Sequence, residues 1–138
     1  MNRRLLAGLL AAALPHSLPA QPAPHMLSDR ELVELTDFDS LGVSPDGRFA
    51  VFRTVKADVI RNSYILRWHS VDLAQGVVRD IGSGGDPIYL DPGSVEGERP
   101  LFSGDHEFVF RALVDGAVGL WRGNVTGAAT APLVGLIE

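Results

Sequence analysis

The stretch Leu41-Gly-Val-Ser-Pro-Asp-Gly-Arg-Phe-Ala-Val-Phe-Arg53 predicts two strands joined by a tight turn. Pro45 fixes φ at the first central position of the turn, Asp46 suits the second, and Gly47 can adopt a positive φ. Apolar strands on both sides of such a turn are typical of a β-hairpin. The outgoing run 49–52 is apolar at every position, which indicates a strand buried on both faces, as in stacked sheets.

A similar pattern returns at residues 101–111, and Ser103 stands 59 residues after Ser44. Each copy is followed by a strand that ends in an Asp or Asn turn closed by glycine, at 68–76 and at 120–127. Self-similarity at this period, with about four short strands in each unit, is typical of propeller blades. The sequence therefore predicts an all-β fold, two blades of an incomplete β-propeller. The alternative is one antiparallel domain with two similar hairpins, but both turn and strand order recur.

Residues 1–20 are expected to lie outside the fold. Arg3 and Arg4 precede an apolar run of ten residues, 5–14, and the small residue Ala20 marks a plausible cleavage point, as in a secretory signal peptide. The run is too short to span a bilayer, so no integral membrane span is expected after signal removal. We therefore expect an exported protein, periplasmic or secreted, with the exact cleavage site left open.

The remaining chain divides into a Pro-rich linker, 21–27, and a partial propeller, 28–138, with blade one at about 39–82 and blade two at about 99–135. Ser28 and Glu31 form a capping-box pattern, which predicts a short helix over 29–35 that packs against the first blade. Asp37 and Asp39 do not continue into a calcium-loop pattern and are interpreted as polar turn residues.

Composition excludes several classes of protein. The chain is 46% apolar and 21% charged, which is typical of a globular fold, and it has no cysteine, so disulfides, thiolate zinc sites and cysteine nucleophiles are excluded. Residues 1–20 hold two of the 12 basic and none of the 17 acidic residues, so signal removal changes the net charge from −5 to −7. This acidic excess argues against nucleic acid or an anionic membrane surface as a partner.

No catalytic constellation is apparent in the sequence. No serine has the Gly-x-Ser-x-Gly frame of a nucleophile elbow. Three histidines follow the predicted signal, His25, His69 and His106, and no two of them have the spacing of zinc ligands. His69 lies beside Trp68 in a predicted strand and is interpreted as a packed or solvated side chain. We therefore expect no catalytic residue, cofactor site or metal site within these residues.

The Ser-Pro-Asp-Gly turn at 44–47 and its repeat at 103–106, which follow a signal peptide, resemble the N-terminal propeller of prolyl-oligopeptidase-like serine peptidases, and also the TolB-type propeller. A narrower resemblance, spanning about 32–133, is to the lasso peptide isopeptidases of that superfamily. It is carried by Arg61-Asn62-Ser63-Tyr64, Leu66-Arg67-Trp68, Val71-Asp72-Leu73, Gly84-Gly85-Asp86-Pro87 and Phe110-Arg111-Ala112-Leu113-Val114-Asp115-Gly116.

This resemblance implies a propeller joined to a C-terminal α/β-hydrolase domain that carries the catalytic Ser, Asp and His. Isopeptidase members cut the amide between an N-terminal amine and an Asp or Glu side chain of a threaded peptide. The hydrolase domain is absent from this sequence, and two blades are fewer than the typical 4–8 of a closed propeller. The chain is therefore expected to be a non-catalytic N-terminal fragment, which meets a peptide substrate only within the full-length parent.

Two alternatives stay open: a TolB-like propeller that binds a protein or peptide without catalysis, and a complete small β-domain with a binding role. If the parent is an isopeptidase, Arg61, Asn62 and Tyr64 are the candidates for a substrate-facing loop, because polar and aromatic residues cluster where a blade needs only a connector. They could equally be ordinary loop residues that pack against the neighbouring blade.

Overall fold

The structure, a computed structural model, describes residues 26–91, 93–127 and 130–133. It contains one short helix and two four-stranded antiparallel sheets, ordered β1-β2-β3-β4 and β5-β6-β7-β8. The elements are α1 (Asp29–Val33), β1 (Thr36–Val43), β2 (Phe49–Asp58), β3 (Ser63–Asp72), β4 (Val77–Ser83), β5 (Leu101–Phe102), β6 (Glu107–Val114), β7 (Ala117–Asn124) and β8 (Ala131–Pro132). The prediction of a mostly β chain is thus confirmed, and neither sheet closes on itself over the described residues.

The predicted signal peptide, 1–20, and nearly all of the linker, 21–27, lie outside the described residues. Within the described ranges, α1 is far too short to cross a membrane, and no other helix is long and apolar enough to do so.

Helix α1 begins with the predicted capping box. The Ser28 N–H donates to the Glu31 carboxylate at 2.8 Å, and the Glu31 N–H donates to Ser28 Oγ at 3.3 Å. The helix ends at Val33, two residues before the predicted end, and none of its five residues, all of them described, is buried. The expected close packing of this helix on the first sheet is therefore wrong, since Leu32 keeps 51% of its surface exposed.

The hairpin between β1 and β2 forms at the predicted turn, where Gly47 has φ 69°. The buried Ser44 accepts the Phe49 N–H on Oγ at 2.9 Å and donates to the Asp46 carboxylate at 2.6 Å. That hydroxyl, followed by the Arg48 N–H, lowers the pKa of Asp46 below its usual range. The turn is thus held by side-chain hydrogen bonds as well as by its backbone conformation.

The core lies between the two sheets. Trp68 on β3 is fully buried, and its ring centroid lies 5.1 Å from those of both Phe108 and Phe110 on β6. Val51 on β2 and Ile81 on β4 extend the same cluster on the side of the first sheet. Residues 49–51 are all buried, as the apolar run predicts, whereas Phe52, the last residue of that run, stays partly exposed.

The turns of the two sheets match in detail. The Leu73 N–H donates to Arg48 O in the first sheet, as the Val125 N–H donates to His106 O in the second, each at 2.9 Å. The Asp72 carboxylate accepts the N–H groups of the turn that follows it, and Asn124 Oδ1 accepts the Thr126 N–H in the same way. The two sheets therefore have corresponding residues, with Arg48 matching His106 and Asp72 matching Asn124.

Asp37 and Asp39 lie in β1 and not in a turn, contrary to the prediction. Asp39 accepts two hydrogen bonds from the Arg53 guanidinium, at 2.9 and 2.7 Å. Arg53 is 4% exposed, and it also donates to Glu96 O at 2.6 Å. This arginine therefore ties the connection 84–100 to the first sheet.

Candidate functional site

The connection between β2 and β3 stands at the end of the first sheet that lies opposite the Ser44 turn. The Arg61 N–H donates to Asp58 Oδ1 at 3.1 Å, and the guanidinium of Arg61 lies 3.6 Å from the same carboxylate. Asn62 adopts φ 49°, a left-handed conformation that asparagine tolerates better than most residues. The loop therefore reverses direction with local hydrogen bonds and sends the chain into β3.

Two tyrosines meet beside this loop. The ring centroids of Tyr64 on β3 and Tyr89 in the connection 84–100 lie 6.4 Å apart, at an interplanar angle of 55°. Tyr89 Oη lies 3.5 Å from Ser63 Oγ. Both rings are partly open to solvent, at 38% and 50% exposure, so they can offer apolar surface and a hydroxyl to a ligand.

A concave surface of about 570 Å³ lies between these groups, and we call it the tyrosine groove. Its lining includes Val33, Asp58, Asn62, Ser63, Tyr64 and Tyr89. The volume falls within the range of about 300–1,000 Å³ that is usual for ligand sites. Two aromatic rings, an amide and a carboxylate, those of Tyr64, Tyr89, Asn62 and Asp58, converge on it.

The structure brings together two of the three predicted site residues. Asn62 and Tyr64 both line the groove, whereas Arg61 is not among the described residues that line it and is 79% exposed at its side chain. The sequence analysis missed Tyr89. Tyr89 carried the same signal that singled out Tyr64, an aromatic residue in a polar connector. Because 25 residues separate the two in sequence, nothing in the sequence placed them together.

The position of Tyr89 depends on how its connection is anchored. The Asp86 N–H donates to Leu113 O at 2.7 Å, and the Glu96 N–H donates to Ile88 O, also at 2.7 Å. A Cβ on Gly85, whose φ is 85°, would stand 2.8 Å from Leu113 O. The motif Gly84-Gly85-Asp86-Pro87 therefore permits a close approach between the connection and β6, which a side chain at Gly85 would prevent.

The described residues show little that could perform catalysis. Thr54 Oγ1 lies 3.0 Å from His69 Nε2, but the hydroxyl is also directed to Arg67 O at 3.3 Å, so this contact fits a structural hydrogen bond. No group of three His, Asp or Glu residues that could hold a metal occurs within the described ranges.

Comparison with solved structures identifies the fold of this chain, whereas the comparisons with family models and with curated proteins find no match. Among solved structures, a Ser-to-Ala variant of AtxE2 isopeptidase with Astexin3-dC4 bound is 22% identical with a TM-score of 0.71, covering 78% of this chain. AtxE2 isopeptidase in its apo form is 20% identical with a TM-score of 0.69, covering 81%.

This likeness shows that the chain has the fold of one portion of that isopeptidase. The chain spans only 20% of the length of each matching isopeptidase chain.

Proposed function

We propose that this chain is the N-terminal β-propeller part of a serine peptidase of the lasso peptide isopeptidase type. The observation that carries the proposal is the TM-score of 0.71 to an isopeptidase over 78% of the chain. The Arg-Asn-Ser-Tyr and Arg-Ala-Leu-Val-Asp-Gly motifs, at 61–64 and 111–116, support the same assignment. The two packed sheets are then the first two blades of an exported, periplasmic or secreted enzyme, and the hydrolysis is performed by a hydrolase domain further along the parent.

In this proposal the tyrosine groove is part of the surface that selects the peptide. A threaded peptide offers backbone amides and compact side chains. Asn62 can pair with an amide through both its oxygen and its NH₂ group. Tyr64 supplies a rigid amphipathic ring, which contacts a peptide at low entropic cost. Arg61, in the same loop and 79% exposed at its side chain, can attract a carboxylate of the substrate.

The direct test is the activity of the full-length parent. Incubation with a threaded lasso peptide should add one water to its mass and open its ring, which mass spectrometry detects. The chain of 138 residues alone should leave the peptide intact. Turnover by this chain alone, lost on substitution of one of its own serines, would contradict the proposal.

The role of the groove is tested in the same full-length enzyme. Asn62→Ala should lower kcat/KM for the lasso peptide by about tenfold, the equivalent of one hydrogen bond of about 1.4 kcal/mol. Ile60→Ala is the matched control, because Ile60 lies in the same loop, is 87% exposed and is not among the described groove residues. An Asn62→Ala enzyme with unchanged kcat/KM and unchanged thermal stability would remove the proposed role.

A TolB-like binding module is the second candidate, because the groove can bind a peptide with no chemistry nearby. The DNA after codon 138, read in three frames, distinguishes the two. A Gly-x-Ser-x-Gly frame several hundred residues downstream supports the peptidase, whereas further Ser-Pro-Asp-Gly units with no hydrolase domain support the binding module.

A further inference from the structure

The tyrosine groove adjoins a second concavity that lies along β1. This second concavity has a volume of about 300 Å³, and it shares Val33, Ala57 and Tyr64 with the groove. Tyr64 therefore stands between two adjoining hollows, and the chemistry of both bears on what the groove can bind.

The charged side chains that line the two hollows are all acidic. Asp58 lines the tyrosine groove, and Asp37 and Asp39 line the second concavity. No Lys, Arg or His is among the described residues that line either one. Because the Arg53 guanidinium pairs with Asp39, the charges that a ligand meets are those of Asp37 and Asp58. A surface of this kind attracts a cation and repels an anion.

Asp58 is held only weakly by its neighbour in the loop. Its Oδ1 accepts the Arg61 N–H at 3.1 Å, whereas Arg61 Nε lies 3.6 Å from Oδ2, beyond hydrogen-bond distance. The Arg61 side chain is 79% exposed, and an exposed ion pair contributes little to stability. The Asp58 side chain is only 18% exposed, so solvent screens its charge less. A ligand cation can therefore replace the Arg61 guanidinium at Oδ2 while the backbone hydrogen bond at Oδ1 remains.

The two tyrosines supply a second means of binding a cation. The centroids of the Tyr64 and Tyr89 rings lie 6.4 Å apart, the rings are inclined at 55°, and both are partly open to solvent. The face of an aromatic ring attracts an ammonium or guanidinium group within about 6 Å of its centroid. Two inclined neighbouring rings can contact one such group together. Val33 and Ala57 line the same groove and offer apolar surface to the methylene stem of a basic side chain.

Tyr89 is held in place by contacts to both sheets. It follows Ile88, whose carbonyl accepts the Glu96 N–H at 2.7 Å. The Glu96 carbonyl accepts from Arg53 of the first sheet at 2.6 Å, and the Glu96 carboxylate accepts from Arg111 of the second sheet at 2.9 Å. The ring pair is therefore preorganised, so a ligand need not bear the entropic cost of ordering it.

We propose that the tyrosine groove binds the cationic side chain of an arginine or lysine in a peptide. In this contact the charged head lies against the rings of Tyr64 and Tyr89 and pairs with Asp58 Oδ2, while the methylene stem packs on Val33. That the ligand is a peptide rests on the proposed function. That it is cationic rests on the carboxylates and rings of this chain alone.

The test is the affinity of the purified chain for two short peptides, measured by NMR titration of its backbone amides. Acetyl-Gly-Arg-Gly-amide carries the cation, and acetyl-Gly-citrulline-Gly-amide has nearly the same shape without the charge. The arginine peptide should bind about tenfold more tightly, as a charged hydrogen bond and the ring contacts together allow. The shifted amides should be those of 58–64 and Tyr89, and added salt should narrow the difference in affinity.

Four variants separate the charge from the rings. Asp58→Asn keeps an acceptor for the Arg61 N–H but removes the charge, so it should abolish the preference for the arginine peptide. Asp80→Asn is the matched control, because Asp80 pairs with Arg67 and is not among the described residues that line the groove. Tyr89→Leu should weaken binding of the arginine peptide by about threefold, whereas Tyr89→Phe, which keeps the ring, should retain it.

Equal affinities for the arginine and citrulline peptides would overturn the inference. So would no binding of either peptide, or amide shifts confined to another surface. Because the titration needs no hydrolase domain, its failure is distinct from failure of the proposed function. Lasso opening by the full-length parent, with no arginine preference in this chain, would contradict this inference alone. Arginine preference in this chain, with no ring opening by the parent, would contradict the proposed function alone.

Discussion

The ring of Phe108 lies directly against the backbone of Gly123 on the adjacent strand. A Cβ built on Gly123 would stand 2.5 Å from Phe108 Cζ, a distance that packed atoms do not adopt. Phe108 is at the same time fully buried beneath Trp68. The absence of a side chain on one strand thus makes room for the ring that joins the two sheets.

Gly123→Ala should therefore destabilise the fold by about 1–3 kcal/mol, the usual cost of overpacking a core. The expected measurement is a lower denaturation midpoint with an unchanged slope. Gly104→Ala is the matched control, since its Cβ would meet nothing within 4 Å and its φ is not positive. Equal midpoints for the two variants would mean that Phe108 can move aside without loss.

Arg53→Ala should cost about 2–3 kcal/mol of unfolding free energy. This is less than the roughly 3–5 kcal/mol typical of a broken buried ion pair, because Asp39 keeps some contact with water. Arg67 is the matched control, since it makes a similar short contact to Asp80, at 2.7 Å, with both side chains 47% exposed. Arg67→Ala should cost at most about 1 kcal/mol. A larger loss for Arg67→Ala than for Arg53→Ala would show that burial does not decide the strength of these pairs.

The lowered pKa of Asp46 predicts an acid-sensitive turn. Its charged form is favoured in the folded state, so its contribution to stability is complete above the ordinary aspartate pKa of about 3.9 and is lost as the pH falls through the lowered folded value. Asp46→Asn should melt lower than the parent at about pH 6, and the difference should shrink on acidification. In a Ser44→Ala background, the loss of melting temperature caused by Asp46→Asn should depend less on pH. The reason is that the hydroxyl that chiefly lowers the pKa of Asp46 is gone. A difference in melting temperature between the parent and the Asp46→Asn variant that does not change with pH would contradict this account.

Amide exchange should be slower in 49–73 than in 108–122. Strands β2 and β3 have ten residues each and lie between flanking strands of eight and seven residues, whereas β6 and β7 are flanked by strands of two residues. Short flanking strands leave more of the ladder open to local fraying. Equal protection in both segments with a sharp cooperative melt would favour a complete small domain.

Features that depend on local hydrogen bonds were predictable from the sequence. The Ser44 turn and the capping box of Ser28 and Glu31 involve partners within five residues of each other, and both formed as predicted. The burial of 49–51 was also predictable from the unbroken apolar run 49–52, although Phe52 at its end stays partly exposed.

Features set by distant contacts were not predictable. Asp39 looked like a turn residue because its partner, Arg53, is recognisable only when β1 and β2 are paired. Tyr89 reaches Tyr64 because Arg53 holds Glu96 O and thereby fixes the connection between the sheets. Helix α1 had the right pattern for packing, but a short amphipathic pattern does not reveal whether another element lies beneath it.

The order of the strands has a consequence for how the chain folds. Every strand of the first sheet pairs with the next strand in sequence, so the whole ladder between Thr36 and Ser83 needs no residue made later. Contacts between neighbours in sequence form faster than contacts that close long loops. We expect the first sheet to form before the second sheet packs against it. Phe108 and Phe110 then arrive at a sheet that is already formed, and they pack onto Trp68 on its surface.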